Sequence, residues 1–235
     1  MVNTPSHCPR CGARIRWYHN LPLLSWLWLR GRCADCSARI PFRYPLVELL
    51  AGLLLAASPW ILPFGTLVWV KGVLCGLALL VLFFTDLEHF ILPNRVTIGG
   101  MALGLLISPL VPLLHGTEDS LTALARAAAG CATGFGTLWL VAAAGSLVFR
   151  KEAMGFGDVK LMGAVGAFLG WQAVFFTVVV SSLFGSVAGI ALIVAGKRRL
   201  QSRIPYGPFI AAAALVWIIW GPVLVNIYLR LLRGA

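Results

Sequence analysis

Beyond Tyr44 the chain is a series of apolar runs separated by short polar breaks. Seven runs predict helices: 45–63, 67–85, 96–114, 121–149, 159–170, 172–195 and 207–229. About 20 apolar residues carry a helix across the hydrocarbon core of a bilayer. The pattern therefore predicts an all-α polytopic membrane protein with about seven transmembrane helices. The 159–170 run is short for a crossing, so it is expected either to tilt or to form a hairpin with the next run around Gly170-Trp171-Gln172. Gly72/Gly76, Gly100/Gly104, Gly130/Gly134, Gly166/Gly170 and Gly185/Gly189 have GxxxG spacing. They are read as sites of close helix approach.

Residues 1–43 break this pattern. Their longest apolar stretch, Leu21 to Leu29, is interrupted by Pro22 and Ser25, and no apolar core of a signal peptide follows Met1-Val2-Asn3-Thr4-Pro5. This segment holds four of the six cysteines and seven arginines (Arg10, Arg14, Arg16, Arg30, Arg32, Arg39 and Arg43). The chain is thus expected to have a small domain over 1–43, followed by a transmembrane domain over 44–235.

Composition supports a membrane protein. The 235 residues are 60% apolar and 11% charged, where soluble domains run near 25% charged. A soluble enzyme, a disordered chain and a fibrous protein are excluded. The net charge is +11, and its placement matters more than its size. With residues 1–43 inside, the loops at 86–95, 150–158 and 196–206 are also inside, and they carry Arg95, Arg150, Lys151, Lys197, Arg198, Arg199 and Arg203. The opposite breaks, 64–66, 115–120 and 171, carry no Lys or Arg and include Glu118 and Asp119. Positive charge stays in the cytosol, so the N-terminus is placed there. Lys71, Arg126, Arg230 and Arg233 run mildly against the bias. The basic charge is expected to meet anionic lipid, with no nucleic acid as partner.

Within the first domain, Cys8-Pro9-Arg10-Cys11 and Cys33-Ala34-Asp35-Cys36 form two Cys-x2-Cys knuckles. Two such knuckles complete a four-thiolate shell for Zn2+. A pair of disulfides is the other way to use four cysteines, but a cytosolic domain lies in a reducing compartment. Four thiolates leave no open coordination position, so the zinc would be structural. About 43 residues are too few for an apolar core to hold alone, which suits a metal staple. Cys75 and Cys131 lie inside apolar runs and are read as packing residues.

Ionisable groups at membrane depth are rare and tend to be functional. Asp86 follows an apolar run, in Phe84-Thr85-Asp86-Leu87-Glu88-His89, and Asp158 precedes one, in Met154-Gly155-Phe156-Gly157-Asp158-Val159-Lys160. Both fall at the cytosolic membrane face, and two adjacent helices would bring them together. Two close carboxylates share a proton and so supply the base and the acid of an aspartic protease. Gly155 and Gly157 would let a substrate backbone approach Asp158. Other roles are open to these acids. Asp158 is placed to cap a helix starting at Val159, Lys160 to pair with Asp158, and either acid to relay protons in a coupled transporter. A membrane-anchored zinc module without catalysis is a third reading. Glu48, early in the first run, is read as structural, and His89 as a loop residue outside the site. No H-E-x-x-H, G-x-S-x-G, Walker A or G-x-G-x-x-G pattern occurs.

Taken in order, these segments resemble the bacterial type IV prepilin peptidases, leader peptidases of type IV pili and type II secretion. The resemblance rests on the four-cysteine domain, on Asp86-Leu87-Glu88-His89-Phe90-Ile91-Leu92-Pro93-Asn94, on the GxGD segment Gly155-Phe156-Gly157-Asp158-Val159-Lys160-Leu161, and on Ile204-Pro205-Tyr206-Gly207-Pro208-Phe209. It runs from about Pro5 to about Leu215. It implies a multi-pass enzyme of the bacterial inner membrane, an intramembrane aspartic endopeptidase. Such an enzyme cuts the basic leader from prepilins or pseudopilins on the cytosolic side, after a glycine and before the apolar helix. Asp86 and Asp158 are then the catalytic pair, and Cys8, Cys11, Cys33 and Cys36 the zinc ligands. Many members of that family also methylate the new N-terminus with S-adenosylmethionine, for which no residue here marks a pocket. Members of the family usually open with a further transmembrane helix, whereas this chain reaches Cys8 at once.

Overall fold

A computed structural model describes residues 6–62, 66–151, 154–195 and 205–232. Lys197, Arg198, Arg199, Arg203, Ile204, Arg233, the start at Met1 to Pro5, and parts of the three breaks at 64–66, 150–158 and 196–206 lie outside the described residues. Among the described residues eight α-helices follow one another: α1 Leu24–Trp28, α2 Arg43–Ile61, α3 Leu67–His89, α4 Asn94–Ile107, α5 Ser120–Phe149, α6 Phe156–Leu169, α7 Trp171–Val194 and α8 Gly207–Leu232. Among the described residues the only β-structure is two isolated bridges, His7 to Arg14 and Arg32 to Arg39. The all-α polytopic fold is as the hydropathy pattern predicts. Four helices among the described residues, α2, α3, α5 and α7, are long and apolar enough to cross a membrane. Large apolar side chains such as Leu74, Val81, Leu147, Val179 and Ile190 are exposed on the outer faces. In water such faces would be unstable, whereas lipid suits them.

The chain divides into two compact units, Met1–Ala57 and Ser58–Ala235. In the first, the two cysteine knuckles repeat one backbone design. Cys8 N–H donates to the Ala13 carbonyl and Gly12 N–H to the Cys8 carbonyl, both at 2.9 Å. Cys33 N–H donates to Ala38 at 2.8 Å and Ser37 N–H to Cys33 at 3.0 Å. The residue after each second cysteine turns left-handed, Gly12 at φ 70° and Ser37 at φ 56°. Trp26 forms the small apolar centre, its ring edge-on to Phe42 at 5.7 Å and its Nε1–H on the Ile40 carbonyl. Glu48 Oε2 accepts from Leu23 N–H at 2.8 Å, which ties α1 to α2 and gives that acid the structural role expected of it.

In the second unit α6 is the centre. Nine of its residues are buried, and it packs against α4, α5, α7 and α8. The α5–α6 contact is backbone to backbone. A Cβ on Gly130 would strike the Gly166 carbonyl, one on Gly166 the Gly130 carbonyl, and one on Gly134 the Met162 carbonyl. These are GxxxG positions, used as the spacing suggests. Gly170, at φ 85°, turns the chain from α6 directly into α7. At 14 residues α6 is about 21 Å long, short of the roughly 30 Å hydrocarbon core, and α4 has the same length. The 96–114 run therefore does not continue as one helix. It stops at Ile107, because Pro109 and Pro112 cannot continue the ladder, and a 3-10 turn over Pro112–His115 follows. Ser108 Oγ donates to the Gly104 carbonyl at 2.5 Å, so its contact with His115 Nε2 at 2.9 Å is one it accepts. Arg126 Nη1 donates to the His115 carbonyl at 2.8 Å and secures this turn to α5.

Candidate active site

Asp86 lies inside the last turn of α3, since the helix runs on through Leu87-Glu88-His89 before Phe90 ends it at φ 53°. Asp158 lies in the first turn of α6. Both carboxylates are buried. α8 packs against both helices, and its first residue, Gly207, is the point of convergence. From the position a Gly207 Cβ would take, Asp86 Oδ2 is 2.6 Å away and Asp158 Oδ1 3.3 Å. The two oxygens therefore cannot be farther apart than those two distances together. The Gly207 backbone N–H points at the Asp86 carboxylate, and Asp158 lies within the field of Asp86. A side chain at 207 would occupy the space the carboxylates share, so this glycine is needed for close approach.

The first segment meets the second along its length. Leu92 packs over Gly157, at 3.1 Å from where a Cβ would be. Gly157 thus serves the packing of the two aspartate segments. Gly155 does lie against Asp158, 3.4 Å from Oδ2. Asp158 does not cap a helix starting at Val159. The helix starts two residues earlier, at Phe156, with Gly155 as N-cap. Lys160 does not pair with Asp158 either. Its ammonium donates to Asn94 Oδ1 at 2.9 Å and sits 4.9 Å from the Phe156 ring centre. His89 is exposed and lies 3.8 Å from Glu88, outside the carboxylate pair. Tyr206, next to Gly207, shares hydrogen bonds with Ser181 at 2.7 Å and Ser182 at 3.2 Å. These serines lie midway along the apolar α7.

In the first unit, one sulfur from each of Cys8, Cys11, Cys33 and Cys36 lies within 4.8 Å of the others. Cys8 and Cys36 sulfurs are 3.9 Å apart. Tetrahedral zinc at about 2.3 Å per Zn–S bond sets sulfurs roughly 3.8 Å apart, so the donor set fits that ion. No disulfide is formed by any of the six cysteines. Backbone amides of Cys11 and Arg10 lower the Cys8 thiol below its ordinary value, while contact with the neighbouring sulfurs raises that of Cys11, so the metal-free set holds thiolate unevenly.

Residues 1–62 match the family model described as the bacterial peptidase A24 N-terminal domain. Residues 73–190 match that of the type IV leader peptidase family. A protein of Aeromonas hydrophila named prepilin leader peptidase/N-methyltransferase is 41% identical over 226 residues, 95% of this chain and 74% of that one. Proteins of the same name from Stutzerimonas stutzeri (38% over 230 residues; 97% and 76%) and Pseudomonas aeruginosa (36% over 232 residues; 98% and 76%) are also similar. No solved structure matches the chain.

Proposed function

The chain belongs to the type IV leader peptidase family, and from that premise we propose that it is an intramembrane aspartic endopeptidase with Asp86 and Asp158 as its catalytic pair. The observation that carries the proposal is the convergence of both carboxylates on Gly207. The substrate is a prepilin or pseudopilin, cut between its basic leader and its apolar helix. One carboxylate is ionised and the other protonated, because two charges so close in a buried site repel. The ionised member takes a proton from a water, and the water oxygen bonds to the scissile carbonyl carbon. The protonated member gives its proton to the leaving nitrogen as the C–N bond breaks. No covalent intermediate forms.

Cys8, Cys11, Cys33 and Cys36 hold a structural Zn2+ in a domain over residues 1–43, ahead of a peptidase domain over 44–235. The zinc fixes the fold of that domain and takes no part in hydrolysis. The enzyme sits in the bacterial inner membrane, in contact with lipid, with the N-terminus and the aspartates on the cytosolic side, as the loop charges suggest. The name shared by the relatives carries a methyl transfer as well, and the same reading extends to N-methylation of the new terminus with S-adenosylmethionine as donor. A proton-coupled transporter finds no support in the three relatives named above, each of which carries the peptidase name.

Membranes containing wild type, Asp86→Ala or Asp158→Ala, mixed with a peptide bearing a basic leader, a glycine and an apolar helix, test the reading. Each substitution is expected to lower cleavage by at least about 100-fold, the usual weight of general acid–base catalysis, while the protein still inserts. Cleavage by all three would remove the pair from the mechanism.

A further inference from the structure

Helix α1 lies between the two cysteine knuckles, and its two faces are unequal. Trp26 turns into the domain, with its ring against Gly31 and Phe42. Leu24, Leu27 and Trp28 stand at i, i+3 and i+4, which puts them together on one face of the helix. They are 63%, 66% and 77% exposed. Trp17, in the 3-10 turn beside α1, is 79% exposed. A helix of five residues does not hold itself in water, and among the described residues this apolar face stays uncovered.

The position of α1 along α2 says what covers it. Leu23 N–H donates to Glu48 Oε2 at 2.8 Å, so the start of α1 stands beside the second turn of α2. From Arg43, the first residue of α2, to Glu48 is about 8 Å along the helix axis. The headgroup layer is about 5–7 Å thick on each side of the hydrocarbon core. Since α2 is long and apolar enough to cross a membrane, a bilayer entered at Arg43 reaches α1 at the depth where headgroups give way to acyl chains. Two further observations agree with that depth. Tryptophan rings favour this layer, and two of the exposed side chains are Trp17 and Trp28. Residues 6–43 carry seven arginines against one acid, Asp35. Arg16, Arg30 and Arg32, which bracket the apolar stretch, are exposed, and anionic headgroups complement them.

We propose that Leu24, Leu27 and Trp28 are inserted in the lipid leaflet through which α2 enters, so that α1 is an interfacial anchor for the cysteine domain. In the orientation given above, this is the cytosolic leaflet. The domain is then held to the membrane at two points, α1 and α2, and the hydrogen bond from Leu23 to Glu48 sets the depth of one against the other. The proposal rests on α2 as a span and uses no step of the peptidase reading.

The test measures depth. Leu24→Cys, Leu27→Cys and, within α2, Leu53→Cys are made one at a time in the zinc-loaded full chain carrying Cys75→Ala and Cys131→Ala. Each new thiol receives a nitroxide label, and the protein is placed in vesicles of phosphatidylethanolamine and phosphatidylglycerol. Relaxation of the label by oxygen, which concentrates in lipid, is compared with relaxation by a water-soluble nickel complex present on both sides. Labels at 24 and 27 are expected in lipid, about 5–10 Å inside the headgroup boundary, the depth of interfacial helices. The label at 53 should lie deeper. Leu24 and Leu27 are largely exposed, so their replacement removes little packing, and either position decides the matter if the other variant fails to fold. Labels at 24 and 27 open to nickel would overturn the anchor. Labels shielded from both oxygen and nickel would overturn it too, because a protein surface such as a second copy would then cover the face. A label at 53 in water would overturn the span of α2 and the anchor with it. Cleavage does not enter the measurement, so loss of the peptidase reading would leave this result standing.

Discussion

Adding one methyl group at Gly207 separates catalysis from folding. In Gly207→Ala the new Cβ would lie 2.6 Å from Asp86 Oδ2 and 3.1 Å from its Cγ, with Asp158 Oδ1 at 3.3 Å. The obstacle is the end of a short side chain and not backbone, so the carboxylate yields and the helix stays in place. To regain ordinary contact at 3.4 Å the Asp86 oxygen must retreat by roughly 0.8 Å, and a misplacement of about 1 Å at a reacting group costs on the order of 100-fold in rate. The fold should not suffer, since alanine is favoured over glycine in a helix by up to about 1 kcal/mol. The expected result is a fall in kcat of one to two orders of magnitude with an unchanged or raised melting temperature in detergent. Cleavage kinetics and a thermal melt on the same preparation check it. Wild-type kcat in a folded Gly207→Ala would refute the convergence of the carboxylates at this point.

Gly166→Ala meets backbone instead, the Gly130 carbonyl, so α5 and α6 must separate. A loss of about 1–3 kcal/mol in stability is expected together with the loss of cleavage, checked by the same two measurements. In the zinc knuckles, Ser37 adopts the left-handed conformation that Gly12 occupies freely. Ser37→Gly should stabilise that unit by about 1 kcal/mol, read as a higher melting temperature, while Cys33→Ser should release zinc by metal analysis. Burial, with Lys71 and Arg126 adding to it, holds His115 at about 4, below its ordinary 6.5. Above pH 6.5 the ring is neutral in both folded and unfolded chains, and stability is full. As pH falls from 6.5 to 4 the unfolded chain takes up a proton that the folded one refuses, and stability drops. A melting temperature in detergent that falls over this window, and falls less in His115→Gln, is the expected outcome.

Hydropathy located α2, α5 and α7 within two residues at each end. The 121–149 run became Ser120–Phe149, and 172–195 became Trp171–Val194. It failed where polar residues stay helical or apolar ones do not. α3 continues four residues past Thr85 because nothing in Asp86-Leu87-Glu88-His89 breaks the ladder, which places Asp86 inside the helix and not after it. α4 ends early because prolines count as neither polar nor charged in an apolar run, yet they interrupt its backbone. The pairing of the aspartates was legible from topology alone, since both flank spans at the same face. The partner of Lys160 was not. Residues two apart do not share a helix face, so Lys160 points away from Asp158 and reaches Asn94 of the first segment. Nor does GxxxG spacing say which glycines face backbone and which face a carboxylate.

That last distinction links packing to chemistry in this fold. Lipid tails are as apolar as the helices, so helix association in a bilayer rests on van der Waals contact at close range. Gly130, Gly134 and Gly166 provide it at the α5–α6 interface, and Gly157 provides it where Leu92 meets α6. These contacts hold Asp158, because α6 is the helix that carries it. Gly207 uses the same absence of a side chain for another end: it leaves room for two carboxylates instead of a second helix. Glycines of the first kind set where α6 lies, and a substitution there moves the acid only by disturbing the fold. The glycine of the second kind sets the space between the acids, and its substitution is expected to disturb the proposed reaction and leave the packing in place. An aspartic dyad needs a fixed and short separation. A bundle whose helices touch through glycines supplies the rigidity, and one further glycine at the start of α8 supplies the gap.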